Sequence, residues 1–233
     1  MNDQPEMTCI PREIALQAAM FRLGDLSKEI EEGYQVLRKH HRTVTIFGSA
    51  RTPANDIYFQ KTVELSRRLA ELGYSIVSGG GQGIMRAANQ GAASAARQGA
   101  ELAQGKSIAF NIRLPHEQSL NEYATDSFEF QHFSPRKIVM TMFADAYICM
   151  PGGFGTLDEL SEVLTLIQTG KTNKAPVILF GRDFWTDFDV FVRKTMIDKF
   201  KTVSPDDTSL YTITDDIDET IALIKNNKTY CAH

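Results

Sequence analysis

One stretch of the chain places three glycines, a hydroxyl side chain and two carboxylates within nine residues, Pro151-Gly-Gly-Phe-Gly-Thr-Leu-Asp-Glu159. It follows the apolar run 146–150 and opens the amphipathic run 157–168. A strand, a glycine-rich turn and a helix start bind anions well, because glycines let the backbone approach a ligand and the first helical N–H groups point at it. We expect Glu159 in the first helical turn, where the helix dipole favours its ionised form. These residues predict a phosphate cradle beside a carboxylate, as in an enzyme acting on a phosphorylated small molecule.

A second segment repeats the same order of elements. The apolar run 74–78 is followed by glycines within 79–83 and by an alanine-rich run, 84–98. In an open parallel sheet both loops would lie at the carboxyl ends of strands, where such sheets bind ligands. Either loop alone is equally compatible with a tight turn between strand and helix. Together they favour a nucleotide or sugar-phosphate site.

Two common nucleotide-binding classes do not fit these loops. Neither loop ends in Gly-Lys-Ser/Thr, so a Walker-type NTPase is disfavoured. The loop at 79–83 lacks dinucleotide glycine spacing, and no acidic residue closes a strand about 20 residues later, which disfavours NAD.

Hydrophobic patterning predicts the elements that carry these loops. The predicted strands are 43–47, 74–78, 106–112, 127–133, 146–150 and 176–180, with a short extended segment at 211–213. The predicted helices are 11–41, 55–72, 84–98, 135–143, 157–168, 184–200 and 215–226. This alternation predicts an α/β fold, a doubly wound parallel sheet with helices on both faces. We expect a helical arm at 1–42 and one nucleotide-binding catalytic domain at 43–233.

Composition narrows the class of protein. A net charge of −4 over 233 residues leaves no basic patch, so nucleic acid is not an expected partner. No signal peptide is recognisable, and no apolar run approaches the roughly 18 residues that span a bilayer, so no membrane association is expected. Three scattered cysteines form no disulfide or zinc pattern, and the histidines have no ligand spacing, so we expect a cytoplasmic protein without a metal.

Three motifs together resemble the LOG family of cytokinin riboside 5′-monophosphate phosphoribohydrolases, in its longer bacterial branch. They are Ser78-Gly-Gly-Gly-Gln-Gly-Ile-Met85, Arg136-Lys137 and the motif 151–159. The resemblance implies a Rossmann-like fold, a homodimer or larger homo-oligomer, no cofactor, and N-glycosidic cleavage of a nucleoside 5′-monophosphate to a free base and ribose 5-phosphate. It assigns Arg136 and Glu159 as the catalytic pair. Phe133-Ser134-Pro135 departs from the Met-His-Glu-type lead of short-form members, so AMP is a plainer expectation than a cytokinin nucleotide.

Several further residues are candidates for holding the substrate. They are Ser49, Gly80, Gly81, Lys137, Gly152, Gly153, Gly155 and Thr156. Thr156 is expected to cap the helix as well as to donate to phosphate, and Asn111, Glu117 and Gln118 are weaker candidates for closing over the sugar or base. Two alternatives stay open: a non-catalytic nucleotide or cofactor carrier, and the lysine decarboxylase name often attached to this family, which would require a Schiff-base lysine and pyridoxal phosphate.

Overall fold

A computed structural model describes residues 11–97, 105–113 and 120–227. Its centre is a seven-stranded sheet in the order β4-β3-β2-β1-β5-β6-β7. Every neighbouring pair of strands is parallel. The strands are β1 (Thr43–Phe47), β2 (Ser75–Ser78), β3 (Ser107–Ile112), β4 (Asp126–Phe130), β5 (Ala146–Cys149), β6 (Val177–Phe180) and β7 (Thr212–Thr214). Strand order reverses between β1 and β5, which is where doubly wound sheets open a crevice.

Helices cover both faces of the sheet. They are α1 (Arg12–Phe21), α2 (Leu23–Leu37), α3 (Ile57–Glu71), α4 (Ile84–Arg97), α5 (Phe133–Thr141), α6 (Phe154–Gln168), α7 (Arg182–Val190) and α8 (Ile217–Asn226). A π-helix, Phe191–Lys199, extends α7, and a 3₁₀-helix, Pro205–Leu210, precedes β7. The predicted Rossmann-like α/β fold is therefore confirmed.

Successive strand residues point into two separate cores. Ile76 packs with α3, α4 and α8, whereas its neighbour Val77 packs on the side of α5, α6 and α7. All four residues of β2, β5 and β6 are buried, as expected for strands covered on both faces.

Several predicted boundaries are wrong. The single helix at 11–41 is two helices that meet at Arg22, and the helix predicted at 184–200 turns into the π-helix at Phe191. Strand β4 ends at Phe130 and not at residue 133, because α5 already begins at Phe133. Helix α6 begins at Phe154, three residues before the predicted start. The prediction relied on the apolar pattern, which starts at Leu157, whereas the helical backbone starts earlier.

The N-terminal arm packs on its own subunit through α2, whereas α1 has no buried residue. Val139 of α5 and Phe130 of β4 lie so close to Gly33 of α2 that a Cβ there would approach them within 2.8–2.9 Å. In the parts of the chain that the structure describes, no helix has the length and apolar character needed to cross a membrane.

Candidate functional site

A cavity of about 910 Å³ opens at the carboxyl edge of the sheet, over the β1/β5 reversal. Its walls come from the loops after β1 and β5, the starts of α4, α5 and α7, and the end of β3. The lining residues are Gly48, Ser49, Ala50, Arg51, Thr52, Asp56, Tyr58, Met85, Ile112, Phe133, Arg136, Pro151, Gly152, Gly153, Phe154, Gly155, Thr156, Leu157, Glu159 and Phe184. The two predicted catalytic residues and five of the predicted binding residues thus surround one space.

The loop after β5 presents a helix N-terminus to this cavity. Gly153 is the N-cap of α6, and no side chain caps it, so a ligand in the cavity can reach the first helical N–H groups. Gly152 leaves room for Thr156, because a Cβ at Gly152 would lie 2.1 Å from the Thr156 hydroxyl. Thr156 lies inside the first turn and is not the predicted cap. Phe154, at the cavity mouth, is 92% exposed.

Ser49 joins the three loops around the cavity. Its backbone N–H donates to the Pro151 carbonyl at 3.1 Å, and its carbonyl accepts from the Ile84 N–H at 2.9 Å. Its hydroxyl accepts from the Arg51 N–H at 3.0 Å. Gly83, with φ +62°, allows this close approach, since a Cβ there would lie 2.3 Å from the Ser49 carbonyl oxygen. Ser49 therefore orders the cavity floor as well as lining it.

The glycine loop after β2 supports the site from outside the cavity lining. The carbonyls of Gly80 and Gly81 accept hydrogen bonds from the Asn121 amide at 3.0 and 3.2 Å. The same amide donates to Asn89, which also accepts from the Ser78 hydroxyl. Neither Asn89 nor Asn121 was predicted from the sequence. An asparagine inside an alanine-rich helix after a glycine loop is a signal that could have indicated Asn89, whereas Asn121 lies between the predicted strands 106–112 and 127–133, where no pattern marks it.

Gly79 is a further site residue that the sequence analysis did not single out. A Cβ there would lie 2.4 Å from Arg136 Nη2 and 2.6 Å from the Met85 sulfur. The Arg136 guanidinium therefore occupies the space that a side chain at position 79 would need.

Arg136 and Glu159 form a buried pair at the cavity wall. Arg136 Nε donates to the Phe110 carbonyl at 2.7 Å, and Nη1 lies 3.5 Å from Glu159 Oε1. Their side chains are only 9% and 15% exposed. The Phe110 carbonyl of β3 orients the guanidinium toward α6, so the pair joins α5 to a helix that follows it in the chain and is held by a strand that precedes it.

Burial dominates the electrostatics of Glu159. Removal from water raises the pKa of Glu159 to about 7, while the Arg136 and Lys137 charges oppose that rise and Asp158 adds to it. The expectation that a helix start would favour the ionised form is wrong, because Glu159 lies in the second turn of α6 and the helix dipole weakens beyond the first. Burial also lowers the pKa of Arg136, but a guanidinium remains charged in proteins. The cavity thus holds a fixed cation beside a carboxylate that changes protonation near neutral pH.

Lys137 points away from the cavity. Its ammonium lies 2.8 Å from Asp158 and 3.3 Å from Glu162, both on α6. Burial lowers the pKa of Lys137, but these carboxylates outweigh burial and raise it. A Schiff-base lysine needs the opposite shift, and the described cavity lining contains no lysine. Glu117 and Gln118 lie outside the described residues.

The comparisons with known proteins agree with this arrangement. A family model described as "Possible lysine decarboxylase" matches residues 85–224. The chain is 31% identical to the cytokinin riboside 5′-monophosphate phosphoribohydrolase LOG of Oryza sativa subsp. japonica over 165 residues, covering 70% of this chain but only 65% of the rice protein. It is 29% identical to a cytokinin riboside 5′-monophosphate phosphoribohydrolase of Arabidopsis thaliana over 167 residues, covering 70% of this chain and 74% of the relative.

Solved structures show the same fold at lower identity. The molybdenum cofactor binding protein from Rippkaea orientalis superposes with a TM-score of 0.57 at 21% identity, over 79% of this chain and 95% of that one. The molybdenum cofactor carrier protein from Chlamydomonas reinhardtii gives a TM-score of 0.54 at 19% identity, over 79% and 96%. These similarities establish the fold alone. With the family model matched over more than half of the chain and its motifs gathered at one cavity, the protein belongs to the LOG family, the "Possible lysine decarboxylase" family.

Proposed function

We propose that the protein hydrolyses the N-glycosidic bond of a nucleoside 5′-monophosphate, releasing the free base and ribose 5-phosphate. The observation that carries this proposal is the buried Arg136–Glu159 pair, 3.5 Å apart, in the same cavity as the uncapped N-terminus of α6. The N-terminus of α6 suits a phosphate, and the Arg136–Glu159 pair suits a reacting sugar that gains positive charge.

The phosphate would lie on the loop after β5. The backbone N–H groups of Gly153 to Thr156 and the dipole of α6 favour an anion there. Arg51, from the loop after β1, lines the same space and can add a positive charge. This cradle fixes the 5′ end of the nucleotide and leaves C1′ to reach toward Glu159.

Cleavage would then proceed through an oxocarbenium-like sugar. The C1′–N bond breaks and its electron pair leaves with the base, and a water oxygen forms the new bond to C1′. One water proton stays on the new hydroxyl, and the other ends on the base nitrogen. Ionised Glu159 stabilises the cationic sugar and orients the water, while Arg136 holds the carboxylate in place and stabilises negative charge on the departing base.

The base would lie toward β3. Met85, Ile112 and Phe133 form an apolar wall on that side of the Arg136–Glu159 pair. A flat purine suits such a wall, and we propose AMP as the plainest substrate. The names of the matched relatives make a cytokinin riboside monophosphate the second choice. A cavity of about 910 Å³ is at the upper end of the size usual for ligand sites, so a substituted base also fits.

We also propose that the protein acts as a homo-oligomer in the cytoplasm, as the family resemblance implies. Apolar side chains on and beside α1, including Met20, Phe21 and Leu23, are more than half exposed. Light scattering at several concentrations measures the assembly, and a monomer at all of them would contradict this part.

The test of activity is incubation of the pure protein with AMP, GMP, CMP, UMP and isopentenyl-AMP, with chromatographic separation of products. We expect base and ribose 5-phosphate from at least one nucleotide. Tight AMP binding without turnover would instead support a carrier. A yellow adduct with added pyridoxal phosphate, together with CO₂ release from lysine, would support the decarboxylase name.

Variants assign the residues. Glu159→Ala and Arg136→Ala should each lower kcat/KM by at least about a hundredfold while leaving the protein folded. Lys137→Ala is the matched control, because Lys137 pairs with Asp158 outside the cavity lining. It should stay within about threefold of wild type, and a large rise in KM would instead support the predicted substrate contact of Lys137.

A further inference from the structure

A buried carboxylate of the N-terminal arm reaches the start of the helix that carries Arg136. Glu29 of α2 is 7% exposed. Its Oε2 accepts from the backbone N–H groups of Gln131 and His132 at 3.1 and 3.2 Å, and its Oε1 lies 2.8 Å from His132 Nδ1. One side chain thus accepts three hydrogen bonds from two consecutive residues more than 100 positions away in the sequence.

These bonds hold the backbone of the two residues that lead into α5, which begins at Phe133. His132 is the N-cap of α5, and its own side chain caps no helical N–H group. A carboxylate at this end also suits the positive pole of the helix dipole. Because the carboxylate belongs to α2, it fixes the position of the start of α5 relative to the N-terminal arm.

A second contact, one helical turn along α2, brings the two helices close together. Gly33 packs against Val139 of α5 and Phe130 of β4 with no room for a Cβ. Residues four apart lie on the same face of a helix, so Glu29 and Gly33 both face α5.

The fixed end of α5 is the end that faces the cavity. Phe133 and Arg136 both line the cavity, within the first four residues of α5. The 3.5 Å separation of Arg136 and Glu159 is at the long end for a charged hydrogen bond. A small shift of α5 would therefore change this contact, whereas the phosphate cradle on α6 and the β1 loop would stay in place.

We propose that Glu29 is a positioning residue for catalysis: by anchoring Gln131 and His132 at the entry to α5, it holds the Arg136 guanidinium at Glu159. The inference rests on the proposed glycosidase function for its kinetic consequence, but the anchoring of α5 can be measured without turnover.

The experiment compares full-length wild type with Glu29→Ala and Glu29→Gln. Glu32→Ala is the matched control, because Glu32 lies on the same helix, is exposed and, among the described residues, pairs with Lys28 at 3.8 Å and not with α5. Hydrogen–deuterium exchange is measured on α5 and α6. Initial rates with AMP are measured from pH 5 to 9, and ribose 5-phosphate binding is measured by calorimetry.

We expect Glu29→Ala to speed exchange at the start of α5 but not of α6. It should lower kcat about ten- to a hundredfold, the range expected when a reacting group is misplaced by about 1 Å, with KM and ribose 5-phosphate affinity within about threefold. The acid limb of the pH profile should move to higher pH, because a displaced Arg136 no longer opposes protonation of Glu159. Glu29→Gln, which keeps the acceptor oxygen, should restore part of the rate.

Unchanged α5 exchange in a folded Glu29→Ala protein would overturn the anchoring role. Faster exchange with an unchanged rate and pH profile would overturn the catalytic role. If Glu29→Ala does not fold, Glu29→Gln supplies both comparisons. A wild type that releases no base would instead refute the proposed function, and exchange of α5 would still decide the anchoring.

Discussion

At the scale of single residues, the site depends on burial more than on residue type. Glutamate and arginine usually lie at protein surfaces. Here the side chains of Glu159 and Arg136 are both largely removed from water and lie 3.5 Å apart. A carboxylate with a pKa of about 7 changes charge near neutral pH, which suits the proposed role of meeting an anionic nucleotide and then stabilising a cationic sugar.

The pH dependence of activity follows from Glu159. If the ionised form is required, kcat/KM should fall as pH drops through about 7, the pKa to which burial raises this group. The measurement is kcat/KM from pH 5 to 9 at constant ionic strength. An acid limb near 4.5, or a rate that rises as the pH falls, would contradict an ionised Glu159.

Gly79→Ala should disable the pair without unfolding the protein. The new methyl would lie 2.4 Å from Arg136 Nη2, the end of a side chain that can swing aside at small cost in stability. We expect kcat to fall by about tenfold or more. A thermal melt should show a change of no more than about 1 kcal/mol in unfolding free energy. Gly24→Ala, where a Cβ meets no atom within 4 Å, is the control.

At the scale of elements, the cavity depends on how the helices seat against the strand ends. Trp185 of α7 is fully buried, and its indole N–H donates to the Cys149 carbonyl at 3.0 Å, at the end of β5. That bond lies just before the loop that begins at Pro151. Helix α7 therefore supports the glycine loop after β5 from behind, as α2 supports α5.

Trp185→Phe should lower the free energy of unfolding by about 1–3 kcal/mol, since it removes a buried hydrogen-bond donor and part of a packed ring. Denaturant titration measures the change. Phe184→Leu, at a neighbouring half-exposed ring, should cost less than about 1 kcal/mol. Equal losses in the two variants would show that the Cys149 bond contributes nothing.

At the scale of the whole molecule, the raised pKa of Glu159 links stability to pH. Its folded pKa lies above the unfolded value of 4.5, so the folded state holds the proton more tightly. The resulting stabilisation is fully present below pH 4.5 and is lost as pH rises through about 7. The change for this one group is on the order of 3 kcal/mol.

Glu159→Gln should remove that dependence. The difference in unfolding free energy between variant and wild type should shift in favour of the variant from pH 5 to pH 8. Arg136 loses its partner at every pH, which changes the stability of the variant by a constant amount. The test is therefore how the difference in unfolding free energy varies with pH. Denaturant melts at four pH values measure it, with Glu32→Gln as the exposed control. A parallel pair of curves would show that burial does not raise the Glu159 pKa.

The sequence by itself determined the fold class and the family. Strand and helix periods are local, so alternating apolar runs predicted the parallel sheet, and glycine loops after strands predicted where a ligand would bind. The motif 151–159 placed Gly152, Gly153 and Thr156 together because they are adjacent in the chain. Helix starts and breaks were predicted less well, since backbone hydrogen bonding, and not the apolar pattern, sets where α6 begins and where α7 becomes a π-helix.

Only the tertiary structure decided which charges are buried and what they face. Lys137 and Arg136 are adjacent in sequence, yet one pairs with exposed Asp158 and the other with Glu159 inside the cavity wall, because neighbours on a helix point about 100° apart. The space at Gly79, the asparagines behind the second glycine loop and the Glu29 anchor at the entry to α5 all join segments distant in the chain. No local pattern encodes such contacts, and the pKa of Glu159 depends on them because desolvation is a property of the assembled core.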